Sequence, residues 1–401
     1  MDGQFSSISL FSGAMGLDLG LEQAGFETKL AVEVDKWCCA TIRYNRPDLP
    51  LLTGDIRDMD AKMMLRAAGL RRGQVDLVAG GPPCQSFSTA GKRSSISDVR
   101  GGLFQDFARV VEYARPRFFA MENVRGILSA AIRHRPLKER GIDHPPLGLE
   151  EEAGSALEVI LHRLRDDLGY EVVYGLVNAV NYGVPQFRQR VVFLGSRDRE
   201  FGAKAWQPSL MPIEDLIPPT HAEEPSVERP YRWRTLKDAL SGLRERQPEH
   251  MKYSEARLKF MKLIPPGQNW RYLRRYGEDV VREALGGAYA AEGGKVGFFR
   301  RLTFDRPCPT VPATPIQKGT SLCHPTKDRV LSVREYARVQ QFPDDWVFAG
   351  PTGEKYKQIG NAVPVGLGQA IGSALSDYCL GGVSAVPDRR ARGRLVAAGR
   401  G

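Results

Sequence analysis

No run in this 401-residue sequence approaches the roughly 20 apolar residues that a membrane-spanning helix requires. The amino-terminal MDGQFSSISLF carries no charged leader ahead of a long apolar stretch, so a soluble protein of the cytoplasm is expected. The six cysteines (Cys38, Cys39, Cys84, Cys308, Cys323 and Cys379) show no C-x-x-C spacing, and the six histidines do not cluster near them in metal-ligand patterns. That argues against a disulfide framework and a structural zinc site, and no metal is expected. No internal repeat is present, which excludes a repeat architecture. A hydrophobic content of 42% is enough to bury a full core, and the length favours two domains, or one with a large insertion. The formal net charge of +10 suits a polyanionic partner, because basic side chains on phosphates release counterions, although many basic proteins never touch nucleic acid.

Through the first half, apolar β-rich runs alternate with helix-like segments. SSISLF is followed by LDLGLEQAG closed by Gly25, and KLAVEV by KWCCATIRYN stopped before Pro47; VDLVAG and RFFAMENV come next. This rhythm predicts an α/β fold, a Rossmann-like, mostly parallel sheet with helices on both faces. A helix-like GSALEVILHRLRDDLG follows, and two β-rich stretches, VVYGLVNAV and RVVFLGS, enclose NYGVPQFRQ. Residues 1–200 therefore read as the first part of this domain. Over 201–327 the rhythm gives way to Pro, Gly, Trp and Arg in SLMPIEDLIPPT, YRWRTLKDAL and LIPPGQNWRYLRRYG, which predicts a smaller, irregular second domain. In 328–383, SVREYARVQQF leads into KQIGNAVPVGLGQAIGSAL, whose apolar spacing predicts a helix packed back on the first domain. Residues 384–401 form a basic tail expected to be disordered, and 131–152 is a charged, proline-rich surface insertion without an assigned role.

In such sheets ligands sit beyond the carboxyl ends of the strands. Phe11, Ser12 and Gly13 follow the first run, and Gly13 and Gly16 stand where a turn must pass close to a ligand. Glu33 ends the next strand about 20 residues later, the interval expected for ribose recognition. Asp55, in GDI, supplies a third acidic position. The two ribose hydroxyls and exocyclic amine of adenosine are all donors, so acceptor carboxylates at successive strand ends suit it. The glycine pair alone reads as readily as a plain tight turn, and its spacing is not the G-x-G-x-x-G of nicotinamide or flavin sites.

GGPPCQSFS follows VDLVA, so Cys84 stands at a strand end, on a loop stiffened by Pro82 and Pro83 and loosened before them by Gly80 and Gly81. A lone cysteine is most often a buried small hydrophobe, but such a loop can present a thiolate to a ligand. Glu122, at the end of RFFAM, is the candidate general acid, with Asn123 shaping its loop; read singly, it is as easily a capping or surface acid. In QFRQR, Arg188 and Arg190 alternate with Phe187 and Gln189, so both should point to one face, there to hold a base oxygen and a phosphate or to lie in solvent.

FSGAMGLD, Glu33-Val34-Asp35, GDI, GGPPCQSFS, MENV, QFRQR, RVLSVREYARVQQFPDDW and QIGNAVP, in this order, closely resemble bacterial cytosine-5 DNA methyltransferases of restriction-modification type. The resemblance covers most of the chain outside the middle segment and implies the class I fold that uses S-adenosylmethionine. By it, Phe11 would stack on the adenine of that cofactor, Gly13 and Gly16 would line its methionine portion, Glu33 would bind the ribose, Asp55 the adenine amine and Asn361 the amino-acid end. Cys84 would be the nucleophile, Glu122 the group acting on ring nitrogen 3, and Arg188 and Arg190 would hold base and phosphate. Residues 201–327 would be the target-recognition domain, with TPIQKGTSLCHPTKDR a candidate for base-edge contacts. The target cytosine would leave the duplex, and QSFSTAGKRSSISDVRGG would close over it. The implied partners are double-stranded DNA and a separately acting restriction endonuclease, the enzyme itself being a monomer. Two departures stand out: Met15 replaces a glycine of many relatives, and Ser9 an aspartate of some. An RNA cytosine-5 methyltransferase is one rival, against which the lack of a Cys-Phe-Thr signature counts. A catalytically idle DNA-binding module is another, against which the joint presence of Cys84, Glu122, Arg188 and Arg190 counts.

Overall fold

A computed structural model describes residues 5–83, 102–133, 135–136, 139–140, 144–202, 212–290 and 297–381. In chain order the first strands are β1 (Phe5–Leu10), β2 (Phe26–Glu33), β3 (Leu51–Thr53), β4 (Leu77–Gly80), β5 (Phe118–Val124), β6 (Glu171–Asn178), the short β7 (Gln186–Phe187) and β8 (Gln189–Ser196). All but β7 join one sheet, ordered β3-β2-β1-β4-β5-β8-β6, in which only β8 runs antiparallel to its neighbours. The expected mostly parallel sheet is thus present, and VVYGLVNAV and RVVFLGS are its antiparallel edge pair.

Successive side chains of a strand point to opposite faces, and here both faces are apolar. Phe119, Met121, Val191 and Phe193 enter one core, while Phe118, Ala120, Val192 and Leu194 enter the other. Burial of each such side chain is worth roughly 1.5–3 kcal/mol, so neither face can be left open to water. Helices α1 (Gly16–Gln23), α2 (Lys36–Asn45), α3 (Ala61–Ala67), α4 (Leu103–Ala114) and α5 (Ser155–His162) follow in the first half. The last three cover the first face with Met64, Phe107, Val111 and Ile160. Helix α5 stops short of the predicted GSALEVILHRLRDDLG, widening into a π-turn at Arg163–Asp167.

Among the described residues, the middle of the chain holds short pieces: α6 (Ile213–Leu216), α7 (Leu236–Leu240), α8 (Glu255–Met261), α9 (Glu278–Leu285) and the two-residue strands β9 (His221–Ala222), β10 (Tyr231–Arg232), β11 (Arg300–Arg301), β12 (Cys308–Pro309) and β13 (Leu322–Cys323). A separate small core forms there around Phe260, Trp270, Leu273, Val281 and Phe299. The ends of the segment pack elsewhere. Ile213 and Leu216 lie under the sheet, whereas Leu302, Val311 and Leu322 share a core with Met15, Tyr336 and Ile359.

The chain then returns through α10 (Val333–Val339), α11 (Thr352–Asn361) and α12 (Val365–Cys379). Ser332 and Glu335 close α10 with a capping box. The single helix expected from KQIGNAVPVGLGQAIGSAL is two: Ala362 turns extended (φ −59°, ψ 146°), and Pro364 has no N–H to carry the helical ladder onward. Helix α12 packs against α1 on the second face, as expected, and backbone meets backbone at the crossing. A Cβ on Gly368 would lie 2.6 Å from the Leu17 carbonyl oxygen, and one on Gly20 would collide with that of Val365.

Candidate active site

Strand order reverses between β1 and β4, which parts the loops following them and opens a crevice at the carboxyl ends of the strands. A cavity of about 540 Å³ fills that crevice. Phe11, Gly13 and Gly16 reach it after β1, Glu33 from the end of β2, Asp55 after β3, Glu122 from β5, Arg188 and Arg190 from the β7–β8 edge, and Asn361 from the end of α11. Every described residue singled out in the sequence as a site residue therefore meets in one place. Cys84 and the rest of its loop to Gly101 lie outside the described residues, but Pro83, directly before Cys84, lines the cavity.

The cofactor half rests on a tight turn. Phe11 (φ 56°), Gly13 (φ 55°) and Met15 (φ 66°) all adopt left-handed backbone, a conformation costing a non-glycine residue on the order of 1–3 kcal/mol. Met15, in place of glycine, keeps the glycine-like conformation and offsets that cost by full burial of its side chain. Ser9, in place of aspartate, donates from Oγ to Ser12 Oγ at 2.8 Å and closes the same turn. Glu33 Oε2 accepts from the Gly13 amide at 2.6 Å, and Oε1 from the Val34 and Asp35 amides at 2.8 Å each. A carboxylate so held still has lone pairs for hydroxyl donors. Asp55 caps the turn at Ile56–Asp58, and the Arg57 guanidinium hydrogen-bonded to it holds its carboxyl down to about 2, keeping it a charged acceptor. Gly16 has no room for a side chain, since a Cβ would strike the Val363 carbonyl; this presses α1 onto the turn after Asn361. An aromatic ring, two acceptor carboxylates and the start of a helix converge, an arrangement suited to an adenosine-bearing ligand with a charged tail.

The catalytic half centres on Glu122, whose Oε1 pairs with Arg190 Nε at 2.5 Å, both side chains being nearly buried. The end of β5 also grips the loop that leads to Cys84. Asn123 Nδ2 donates to the Pro82 carbonyl at 3.2 Å, and Gly81 lets the loop in, because a Cβ there would sit 3.1 Å from Glu122 Oε2. Arg188 and Arg190 share the cavity as their alternation predicts, yet their surroundings differ. Arg188 is 1% exposed and donates from Nη2 to the Gly360 carbonyl at 2.9 Å, tying the turn after α11 to the strand. Its Nε has no partner among the described residues, and burial, with Arg190 close by, pushes the guanidinium well below the usual arginine range.

One cavity residue, Asp18, and two buried glutamines behind the cavity were not singled out in the sequence. Asp18, on the first turn of α1, is buried, lines the cavity and has no partner for Oδ1 among the described residues; burial pushes its carboxyl up to about 7. Gln186 and Gln340 form a buried relay: Gln186 Nε2 donates to Gln340 Oε1 at 2.7 Å, and Gln340 Nε2 to the carbonyls of Ile359 (2.7 Å) and Ala362 (3.0 Å). A signal for Gln340 existed, since it falls seven positions after Val333 and, as the C-cap of α10, continues the apolar stripe of that helix. Within TPIQKGTSLCHPTKDR, the residues 321–325 are buried and Arg329 pairs with Glu335, a scaffold role, whereas Gln317, Thr320, Thr326, Lys327 and Asp328 face solvent. Among the described residues no cluster of His, Cys, Asp and Glu could hold a metal ion, and no helix is long and apolar enough to cross a membrane.

This strand order, with an acceptor-lined crevice at its reversal point and one antiparallel strand near its edge, defines the class I methyltransferase fold. A family model of C-5 cytosine-specific DNA methylases matches residues 5–377. The chain belongs to that family and is a DNA cytosine-5 methyltransferase. It is 37% identical over 377 residues to the Type II methyltransferase M.PspPI of Psychrobacter sp. (strain TA137), covering 92% of this chain and 79% of that protein. With M.Eco47II of Escherichia coli it shares 38% over 379 residues, covering 92% and 78% respectively. Among solved structures, a DNA modification methyltransferase encoded within a prophage (E. coli) superposes with a TM-score of 0.61 at 25% identity, covering 94% of this chain and all of that one. The S. pombe Dnmt2 methyltransferase, at 17% identity and a TM-score of 0.57 over 94% and 99% of the two chains, shares the fold.

Proposed function

We propose that the protein transfers a methyl group from S-adenosylmethionine to carbon 5 of a cytosine flipped out of a specific short sequence in duplex DNA, through a covalent bond to Cys84. The observation that carries this reading is the Glu122–Arg190 pair, set 2.5 Å apart on the same cavity as the acceptors Glu33 and Asp55 and the residue before Cys84. Phe11, Glu33, Asp55 and Asn361 would hold the cofactor, and the unpartnered Oδ1 of Asp18 leaves a further polar position in its cradle. S-adenosylmethionine supplies an electrophilic methyl group. Carbon 5 of cytosine is a poor nucleophile, and the protein's task is to change that. The Cys84 thiolate adds to carbon 6 while Glu122, oriented by Arg190, hydrogen-bonds or protonates nitrogen 3, which turns the ring into an enamine nucleophilic at carbon 5. After methylation, loss of the carbon 5 proton and elimination of Cys84 restore the aromatic ring and the thiolate. Arg188, fixed through the Gly360 carbonyl, holds the turn carrying Asn361 against the edge that carries Arg190.

The Type II methyltransferases among its relatives support a role as the modification enzyme of a restriction-modification system; we further propose that it acts as a cytoplasmic monomer beside a separate endonuclease. Expression of the protein and of Cys84→Ser in a host without cytosine methylation, followed by bisulfite sequencing, tests the reading. Modified cytosines at one short sequence, absent with the variant, are expected; modification by the variant would remove Cys84 as nucleophile, and an unmodified genome despite soluble protein would remove the reaction on DNA.

A further inference from the structure

Among the described residues, five carboxylates line the catalytic cavity: Asp18, Glu33, Asp35, Asp55 and Glu122. Four of them are met within the protein. Glu122 pairs with Arg190 at 2.5 Å, Asp35 with Lys357 Nζ at 2.8 Å and Asp55 with Arg57, while Glu33 accepts from three backbone amides. Asp18 is the exception. It is 1% exposed, and its Oδ1 has no partner among the described residues.

The elements packed around Asp18 supply little to offset a charge there. Strand β1 has no charged residue, and α12, which crosses α1, has Asp377 alone, towards its far end. Strand β2 places Glu33 at the cavity and, at its other end, Glu27 and Lys29, which pair with each other. Glu22, one turn further along α1, raises the Asp18 carboxyl and Arg46, after α2, lowers it, but these two are also paired with each other. Burial outweighs both and pushes the carboxyl up to about 7.

A buried carboxyl with an open lone pair, in a cavity whose other carboxylates are already held, suits a ligand that brings its own cation and its own N–H donors. S-adenosylmethionine has such a group, the ammonium of its amino-acid end. The backbone places Asp18 near that end: Gly16, two residues before it, abuts the carbonyl of Val363, two residues after Asn361, and both Asn361 and Val363 line the cavity with it.

Resting on the reading of this cavity as the S-adenosylmethionine site, we propose that Asp18 is the counter-ion of the cofactor's ammonium group and that the cofactor displaces a proton from Asp18 when it binds. The proton passes from the carboxyl to solvent, an ammonium N–H takes up Oδ1, and no other bond changes. Cofactor affinity is thereby tied to pH, separately from the chemistry at Glu122 and Cys84.

The test is calorimetry of the full chain with S-adenosylhomocysteine, which keeps the ammonium group, and with 5′-methylthioadenosine, which lacks it. Each is run in two buffers of different ionisation heat, so that released protons are counted. At about pH 6 the wild type should release about one proton per S-adenosylhomocysteine bound, and at about pH 8 almost none. Its affinity should rise by up to about tenfold per pH unit below 7 and level off above, because only below 7 must a proton be driven off. 5′-Methylthioadenosine should release none at either pH. Asp18→Asn should bind S-adenosylhomocysteine roughly tenfold or more weakly at about pH 8, without proton release, and bind 5′-methylthioadenosine as the wild type does. If the variant does not bind that second ligand, the contrast between the two ligands on the wild type decides alone. Absence of proton release from the wild type at about pH 6, equal release with both ligands, or a variant with wild-type affinity and pH dependence overturns the assignment while leaving the proposed function standing. A wild type that binds neither ligand at any pH overturns the cofactor reading and this assignment with it.

Discussion

The sheet domain and the middle segment are built to different rules. In the first, strands of three to eight residues carry the site residues at or near their ends, and two apolar faces fix the sheet in register. In the second, two-residue strands and short helices surround a core of a few aromatic and aliphatic side chains. A reaction tolerates displacements of only a fraction of an ångström among the groups that perform it, so its residues belong on rigid elements. Recognition of a base sequence needs donors and acceptors hung at suitable positions, and loops on a modest scaffold suffice for that.

Two substitutions would break this contrast, one on each side. The larger effect belongs to Glu122→Gln, which keeps the size of the side chain but removes its acid and weakens the pair with Arg190. Methyl transfer should fall by about 10²–10⁴ while S-adenosylhomocysteine and DNA are still bound. Transfer of radiolabelled methyl groups alongside calorimetry measures both, and wild-type transfer by the variant would take Glu122 out of the chemistry. Next comes Phe260→Ala. Its ring is buried in the middle core, edge-on to Phe299 with centroids 5.9 Å apart, and its loss should cost about 3–5 kcal/mol. If the middle core unfolds by itself, scanning calorimetry should show a separate early transition, with DNA binding lost and cofactor binding kept. A single transition that moves as a whole would mean that the two regions fold as one unit.

The same contrast governs what could be read without coordinates. Glu33, Asp55 and Glu122 were legible because each follows an apolar run, and the end of a parallel strand is where ligands lie. Strand order was not, since it is set by which crossovers pack against which faces, and no local pattern records that. At 362–364 the proline was visible, but the apolar spacing on both sides argued for one continuous helix and outweighed it. Strands of two residues are too short to show any period, so the middle segment registered only as loss of rhythm. Arg188 and Arg190 were read together by alternation, while the division of labour between them depends on which carbonyls and which carboxylate come within reach, and those arrive from Gly360 and Glu122.

The smallest effect sharpens the comparison on the sheet side, where a buried carboxyl has been built into the cavity floor. Asp18 titrates at about 7 in the folded protein against an ordinary 3.8, because burial disfavours its charged form. A folded-state value raised above that of the unfolded chain means that, between the two, the folded protein keeps a proton that the unfolded chain has released. Its contribution to stability is therefore complete below about pH 4 and declines as pH rises towards 7, by at most about 1.4 kcal/mol per pH unit. Asp18→Asn removes the titration and keeps the shape. Urea unfolding of both proteins at intervals from pH 5 to pH 8 should show the wild type losing ground to the variant up to about pH 7 and holding level beyond it. A difference independent of pH would mean that Asp18 is ionised in the folded protein, its Oδ1 satisfied by water, and that the cavity floor is wetter than its packing implies.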